Sequence, residues 1–540
     1  MAPKGVWTLL LAGGAIIGAA LLVDSISPAS VASCTPVPGP SATAKKPPAG
    51  GWPLYTADDV AKHATADKGI WVTYRDGVYD ITDFVASHPG GAGKIMLGAG
   101  SAIDPFWALY RQHDHQSVRD ILAEHRIGSL KGYEASKQPA LTDPYANDPK
   151  RHPAMRVSNP APFNAEPPLD ILADNFITPN ELFFVRNHLP VPQISAEGFK
   201  LRVGGEGLPE RSYTIDELRT LFPARSLTAT IQCAGNRRSE MNQVKQVKGL
   251  GWGQAAISTA TFSGVRLKDV LRSQGLNLED PEGVGANHVH FKGLDQDATG
   301  MRYEASVPIS KVIDGSSDVL LAWEMNGAPL PRDHGFPLRV VIPGVVGARQ
   351  VKWLGEVRTA RNESEGHWQQ NDYKGFSPNI DWDNVDFRSA PAIQELPVTS
   401  AISIPSANTV LPASADSVKV AGYAWSGGGR GIVRVDVSAD GGAHWHTATL
   451  TPKPATVEPQ SLTKSWAWQP WTIEVPLDEA ARAKAAASKE PLTLVCKAVD
   501  SSYNNQPESN APIWNLRGCL TNGWHKVPIK IEDSKKKLQL

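Results

Sequence analysis

The 540-residue chain has only four cysteines, Cys34, Cys233, Cys496 and Cys519, and none falls in a CxxC or other metal-ligand spacing. That sparsity excludes structural zinc and a disulfide scaffold as organising devices. Net charge is lacking too, since 54 basic residues against 55 acidic ones leave −1 at neutral pH. No global basic field exists to attract nucleic acid or an anionic membrane surface, so charge-based recognition has to be local. There is no internal repeat and no Walker or dinucleotide fingerprint; Gly427-Gly428-Gly429 lacks the strand–turn–helix setting that a fingerprint requires. Long apolar runs are absent except at the start, where Gly5 to Val23 carries no charged residue. Its length suits a bilayer span or a signal or sorting segment, although its Gly and Ala content weakens the spanning case. Membrane contact is expected through this segment alone.

Against these absences stands a length far beyond one core, which predicts three or four domains, and 16 tryptophans, which suit large cores and lined pockets. Residues 1–34 read as a leader. Residues 35–51, with Pro36, Pro38, Pro40, Pro47 and Pro48 among small residues, read as a linker that cannot bury enough apolar surface to order itself. A small α+β unit is predicted over 52–131. Thr56 caps a helix with Asp58 and Asp59 in its first turn, and Ile70 to Tyr74 and Val78 to Ile81 flank the turn Arg75-Asp76-Gly77. Val118, Ile121 and Leu122 predict a short amphipathic helix closing that unit. Residues 132–148, containing Ser136, Lys137, Pro139 and Pro144, read as a flexible linker able to reach about 50 Å when extended. A mixed, β-rich α+β domain is expected over 149–395. Period-two alternation in Val418 to Trp425, Ile432 to Ser438 and Leu492 to Val499, with Asp440-Gly441-Gly442 turning the chain, predicts an all-β immunoglobulin-like sandwich over 396–535.

Two stretches carry chemistry. In Thr228-Ala229-Thr230-Ile231-Gln232-Cys233-Ala234-Gly235-Asn236-Arg237-Arg238-Ser239-Glu240 a β-branched run delivers one cysteine to a small-residue turn followed by two arginines. Nearby positive charge favours a thiolate, the form that attacks or binds metal; a lone cysteine at a strand end is otherwise a small buried hydrophobe. In Asp83-Phe84-Val85-Ala86-Ser87-His88-Pro89-Gly90-Gly91 the proline and glycines set a tight turn that holds the His88 imidazole out from the backbone.

The second stretch resembles the haem loop of a cytochrome b5-type domain. By that family's Leu-Tyr-x-x-His pattern, matched at Leu109 and Tyr110, the second axial ligand is His113, with His115 two residues on as a departure from the pattern. The Cys233 stretch, together with Phe183 to His188, Asp333 to Arg339 and Gly344 to Trp353, resembles the molybdenum-cofactor domain of the sulfite oxidase family, in that family's block order. The likeness runs from about Trp52 to about Val527. It implies Cys233 as molybdenum ligand beside the pterin dithiolene, consistent with the softness of the metal's preferred donors. It implies pterin contacts from Phe183, Phe184, Val185, Arg186, Asn187, Asp295, His334, Arg339, Gln350, Val351 and Lys352. It implies a sulfite pocket made by Arg186, Arg238 and Arg517, lined by Trp252 and Tyr373, and lying at a domain boundary.

The expected cofactors are therefore molybdenum–molybdopterin and haem b. The resemblance implies oxidation of sulfite to sulfate, with electrons passing through the haem to cytochrome c, and a homodimer built through the sandwich. It also implies the mitochondrial intermembrane space. Val31-Ala32-Ser33-Cys34 is similar to a bacterial lipoprotein cleavage site, which keeps the periplasm open. The alternatives are a nitrate reductase-like molybdoenzyme, disfavoured by a haem domain that comes first, and a non-catalytic haem electron carrier, disfavoured by the intact Cys233 and arginines.

Overall fold

The computed structural model describes residues 45, 47–134, 143–315 and 317–532. The leader, Cys34, most of the 35–51 linker and residues 135–142 of the second lie outside them.

The N-terminal unit forms around a five-stranded sheet. Its order is Leu54–Tyr55, Arg126–Leu130, Gly77–Asp80, Gly69–Tyr74 and Ala64–Thr65. The predicted hairpin is present, with Trp71 opposite Asp80 and Tyr74 opposite Gly77. Thr56 caps Ala57–Ala61 in a reciprocal box, its hydroxyl accepting from the Asp59 N–H while the Asp59 carboxylate accepts from the Thr56 N–H. Helix Gln116–Glu124 also forms, but it buries Leu122 and leaves Ile121 exposed. The unit is closed instead by the strand Arg126–Leu130, which needs both neighbours in the sheet to exist.

The central region is sheet-rich. One five-stranded sheet runs Leu208–Tyr213, Leu201–Gly205, Leu354–Ala360, His288–Gln296, Arg302–Pro308. Strict alternation in His288–Gln296 sends Val289 and Phe291 into the largest core. A second sheet pairs Ala224–Gln232 with Ile257–Arg266 over their full length and continues through Leu320–Met325. Short capped helices such as Ile215–Leu221, boxed by Thr214 and Glu217, fill the connections.

After residue 395 the chain builds two sheets. Thr399–Ile404, Ser417–Trp425, Gln469–Pro476 and Thr449–Leu450 form one; Val410–Pro412, His525–Glu532, Leu492–Asp500, Ile432–Ser438 and His446–Thr447 form the other. Val418, Val420 and Trp471 from the first meet Val435, Leu494 and Ile529 from the second in one shared core. This double sheet grips the Cys233 strand. The Thr230 N–H donates to Trp466 O at 3.0 Å, and the Trp468 N–H donates to the Thr230 hydroxyl at 2.8 Å.

Residues 143–148, expected to be linker, lie packed rather than free. Asp143 pairs with Arg111 at 2.5 Å, the Tyr145 hydroxyl donates to Leu109 O, and Asp148 pairs with Arg151 at 2.8 Å. Leu109 is part of the central core, and Tyr110 and Tyr145 pack on it, so the N-terminal unit sits directly on the central one.

Candidate cofactor sites

In the N-terminal unit, His88 ends the short 3-10 turn Thr82–Ser87, and His113 lies in a turn after helix Asp104–Leu109. Each imidazole Nδ1 faces a backbone carbonyl, His88 to Gly91 O at 3.2 Å and His113 to Tyr110 O at 2.8 Å. Those bonds fix the proton on Nδ1 and leave both Nε2 atoms free to ligate. The rings are parallel, 2° apart, with centres separated by 6.1 Å. A metal bound by two imidazoles at about 2.0 Å each requires ring centres about 6 Å apart. Burial lowers both pKa values, which favours the neutral, ligating form. His115 takes no part: it is exposed at the start of Gln116–Glu124.

The second site begins at the end of Ala224–Gln232. Cys233 is buried, its N–H donating to Ala256 O at 2.9 Å. Arg237, in the left-handed region at φ 66°, turns the chain back. Its guanidinium is wholly buried and forks onto Glu240, while also donating to Ser400 O and Gly523 O of the C-terminal region. Despite burial, Arg237 holds the Glu240 pKa down at about 2. Glu166 secures the other side by accepting from the Gly253 and Ala255 N–H groups at 2.6 and 3.0 Å.

Cys233 opens onto a cavity of about 70 Å³ whose wall includes Phe183, Phe184, Arg186, Asp295, His334, Arg339, Gln350, Val351, Lys352 and Tyr373. Val185 and Asn187, from the same segment as Phe183, are buried behind that wall, Asn187 accepting from the Lys352 ammonium through Oδ1. The cavity's cations lack counter-charges. Arg339 donates only to the carbonyls of Val340, His334 and Gln350, and burial pulls its pKa down to about 9. Burial likewise lowers Lys352 to about 7 and His334 to about 3. Lys352 also donates to the backbone carbonyl of Asp333, whose carboxylate is already paired with Arg151 at 2.8 Å and is kept ionised by it against burial. Asp295 is pushed up to about 7 by burial, and its Oδ1 has no partner. A ligand that is anionic at one end and offers a hydrogen-bonding edge at the other fits these unmet demands.

At the cavity's other side Arg186 donates to Asn164 Oδ1 at 3.1 Å and Asn187 O at 2.6 Å, and reaches the Tyr373 hydroxyl at 3.4 Å. Tyr373 sits at φ 35°, a strained value for a ring-bearing residue. Its hydroxyl also meets His188 Nε2 at 2.5 Å. Arg517, from the C-terminal region, forms an ion pair with Asp372 next to Tyr373, and its Nε is buried without a partner. Arg238 and Trp252 stand one layer back. Arg238 spends its donors on Arg517 O, Gly518 O, Leu250 O and, at 3.8 Å, the Cys519 sulfur. Trp252 is buried in the same cluster as Cys233 and Phe183. His188 and Tyr303 also line the cavity, and sequence reasoning passed over both. His188 was visible at the end of the Phe183 block; nothing local marked Tyr303.

Comparison with known proteins covers three blocks of the chain. Residues 56–131 match the cytochrome b5-like heme/steroid binding domain, 188–368 the oxidoreductase molybdopterin binding domain, and 390–532 the Mo-co oxidoreductase dimerisation domain. Sulfite oxidase of Gallus gallus is 52% identical over 476 residues, covering 88% of this chain and 99% of the relative. The chain belongs to the sulfite oxidase family. The mitochondrial sulfite oxidase of Rattus norvegicus is 51% identical over 480 residues, 88% of this chain and 84% of its own. The crystal structure of the sulfane dehydrogenase SoxCD from Paracoccus pantotrophus aligns with TM-score 0.55 at 25% identity, covering 71% of this chain and 86% of that one. As a family member the chain takes molybdenum–molybdopterin and haem b. Both fit the residues present: Arg339 and Lys352, buried without ion pairs, suit a phosphate, the partnerless Asp295 Oδ1 suits a polar ring edge, and the facing imidazoles suit an iron.

Proposed function

We propose that this chain is a sulfite oxidase that passes electrons from sulfite through its b-type haem to cytochrome c. The carrying observation is the buried cationic cavity with Cys233 in its wall and Arg186 and Tyr373 at one side. Cys233 would be the protein thiolate on molybdenum. Arg339, Lys352 and His334 would hold the pterin phosphate, with Phe183, Phe184, Val185, Asn187, Asp295, Gln350 and Val351 along the cofactor. When bound, the molybdenum–pterin group supplies oxygen-atom transfer and two-electron redox chemistry.

The chain's own residues position and select. Sulfite is a small oxyanion, and Arg186, Tyr373 and Arg517 offer it fixed donors at little reorganisation cost. Arg238 adds positive charge from behind, and Trp252 packs in the same buried cluster as Cys233. His88 and His113 would be the haem ligands. We read the C-terminal double sheet as immunoglobulin-like and as the dimer contact, and the 1–34 segment as the sorting signal of a mitochondrial intermembrane-space protein.

Stopped-flow mixing of oxidised protein with sulfite tests this reading, with Cys233→Ser as control. The haem bands should reduce in the parent, and the rate in the variant should fall by about 10³-fold or more, as when a unit of interdependent catalytic groups loses a member. An oxidised haem in a molybdenum-replete parent would refute the substrate assignment.

A further inference from the structure

Lys94 lies six residues after His88, in the helix Ala92–Ile95, and it crosses from the haem unit to the central one. Its ammonium stands 4.9 Å from the centre of the Trp368 ring and 5.8 Å from that of Tyr110. Tyr110 belongs to the haem side, edge-on to His113 at 6.4 Å. Trp368 belongs to the other side. It lies 4.6 Å from Tyr303 and 5.7 Å from His188, ring centre to ring centre, and His188 bonds the Tyr373 hydroxyl that shares a cavity wall with Cys233. One cation thus joins an aromatic series that begins at a haem ligand to one that ends at the sulfite cavity. Among the described residues Lys94 has no carboxylate within ion-pair distance; Asp297 and Asp372 act on it only from further off. A cation held by ring faces alone is weaker than a buried ion pair, which suits a contact that forms and releases.

We propose that Lys94 is a positioning residue that latches the haem unit over the sulfite cavity, through Trp368, in the pose that receives electrons. This rests on the sulfite oxidase reading. In that pose Lys94 would hold the His88 and His113 side of the haem unit against the cavity wall, where a bound molybdenum group would supply, and a bound haem accept, two electrons per sulfite, one at a time and with no covalent bond changed. The released pose then exposes the haem face to the external acceptor.

The test compares Lys94→Met, which keeps length and loses charge, with Lys94→Arg, which keeps the ring contact. Small-angle scattering of the full-length holoprotein reads the pose, and stopped-flow reads haem reduction by sulfite. Lys94→Met should enlarge the radius of gyration and slow haem reduction by about five-fold, with Lys94→Arg near the parent. KM for sulfite should stay unchanged, since the cavity is untouched. Parental scattering and parental haem reduction in Lys94→Met would overturn the latch. Should Lys94→Met lose haem, Trp368→Phe reads the same contact from the other side, with the same two outcomes. Failure of the parent itself to reduce its haem would instead count against the sulfite oxidase reading.

Discussion

The two cofactor sites are built in opposite ways. The haem site is assembled within one short stretch, and its polar atoms are satisfied by the chain itself: Gly91 O and Tyr110 O take the two Nδ1 protons, and both rings are already parallel. The molybdenum cavity gathers side chains from residues 183 to 373, and its charges are left unmet, with Arg339 on carbonyls alone and Asp295 partly unpartnered. A metal would complete the first by adding two bonds to a finished frame. The second has a frame that is itself costly until an anion arrives.

The difference predicts that damage to the haem site stays local. His113→Ala should abolish haem binding, read as complete loss of the haem bands, while His115→Ala keeps them, because His115 is exposed whereas His113 lies parallel to His88. Thermal unfolding of the central region should be unchanged in both variants. Haem retention in His113→Ala would break the assignment.

Damage to the cavity should spread. Asp372 and Arg517 tie the loop carrying Tyr373 to the C-terminal region through a mostly buried ion pair. Asp372→Asn leaves Arg517 charged and unpaired, which should cost about 3–5 kcal/mol by chemical denaturation, because breaking one side of a buried pair exposes its full desolvation penalty. The same variant should raise KM for sulfite by loosening Tyr373. A stability change below about 1 kcal/mol would mean that the pair is effectively solvated.

The same contrast explains what could be read from the sequence. The haem loop, the Thr56 cap, the Arg75-Asp76-Gly77 hairpin and the strand leading to Cys233 depend on neighbours in the chain, and all are present. The strands of the C-terminal region were legible from alternation. Tyr303 and Asp372 were not, because each gains its place from partners far along the chain: Ala348 for Tyr303 and Arg517 for Asp372. Arg238 reads as a sulfite-pocket arginine, but it lies behind the cavity wall because its donors are taken by distant carbonyls, those of Arg517 and Gly518 among them. The packing of residues 143–148 was missed for a similar reason. Proline and small residues in that stretch signal a linker, whereas its order comes from Arg111, Leu109 and Arg151.

The smallest expected effect tests the cost of the empty cavity directly. Burial lowers Lys352 from its ordinary value of 10.5 to about 7. Between those values the unfolded chain holds a proton that the folded, cofactor-free protein does not, so stability rises with pH across that window. The slope contributed is at most about 1.4 kcal/mol per pH unit, and it vanishes above the unfolded value. Cofactor-free protein should therefore gain more stability from pH 7 to pH 9.5 than its Lys352→Met counterpart, read as the difference between their denaturation midpoints. Loading the molybdenum cofactor should flatten the parental slope, because the pterin phosphate holds Lys352 in its charged form in the folded state as well. Equal slopes in the two cofactor-free proteins would show that water reaches Lys352 freely, and the cavity would then carry no unmet charge at that position.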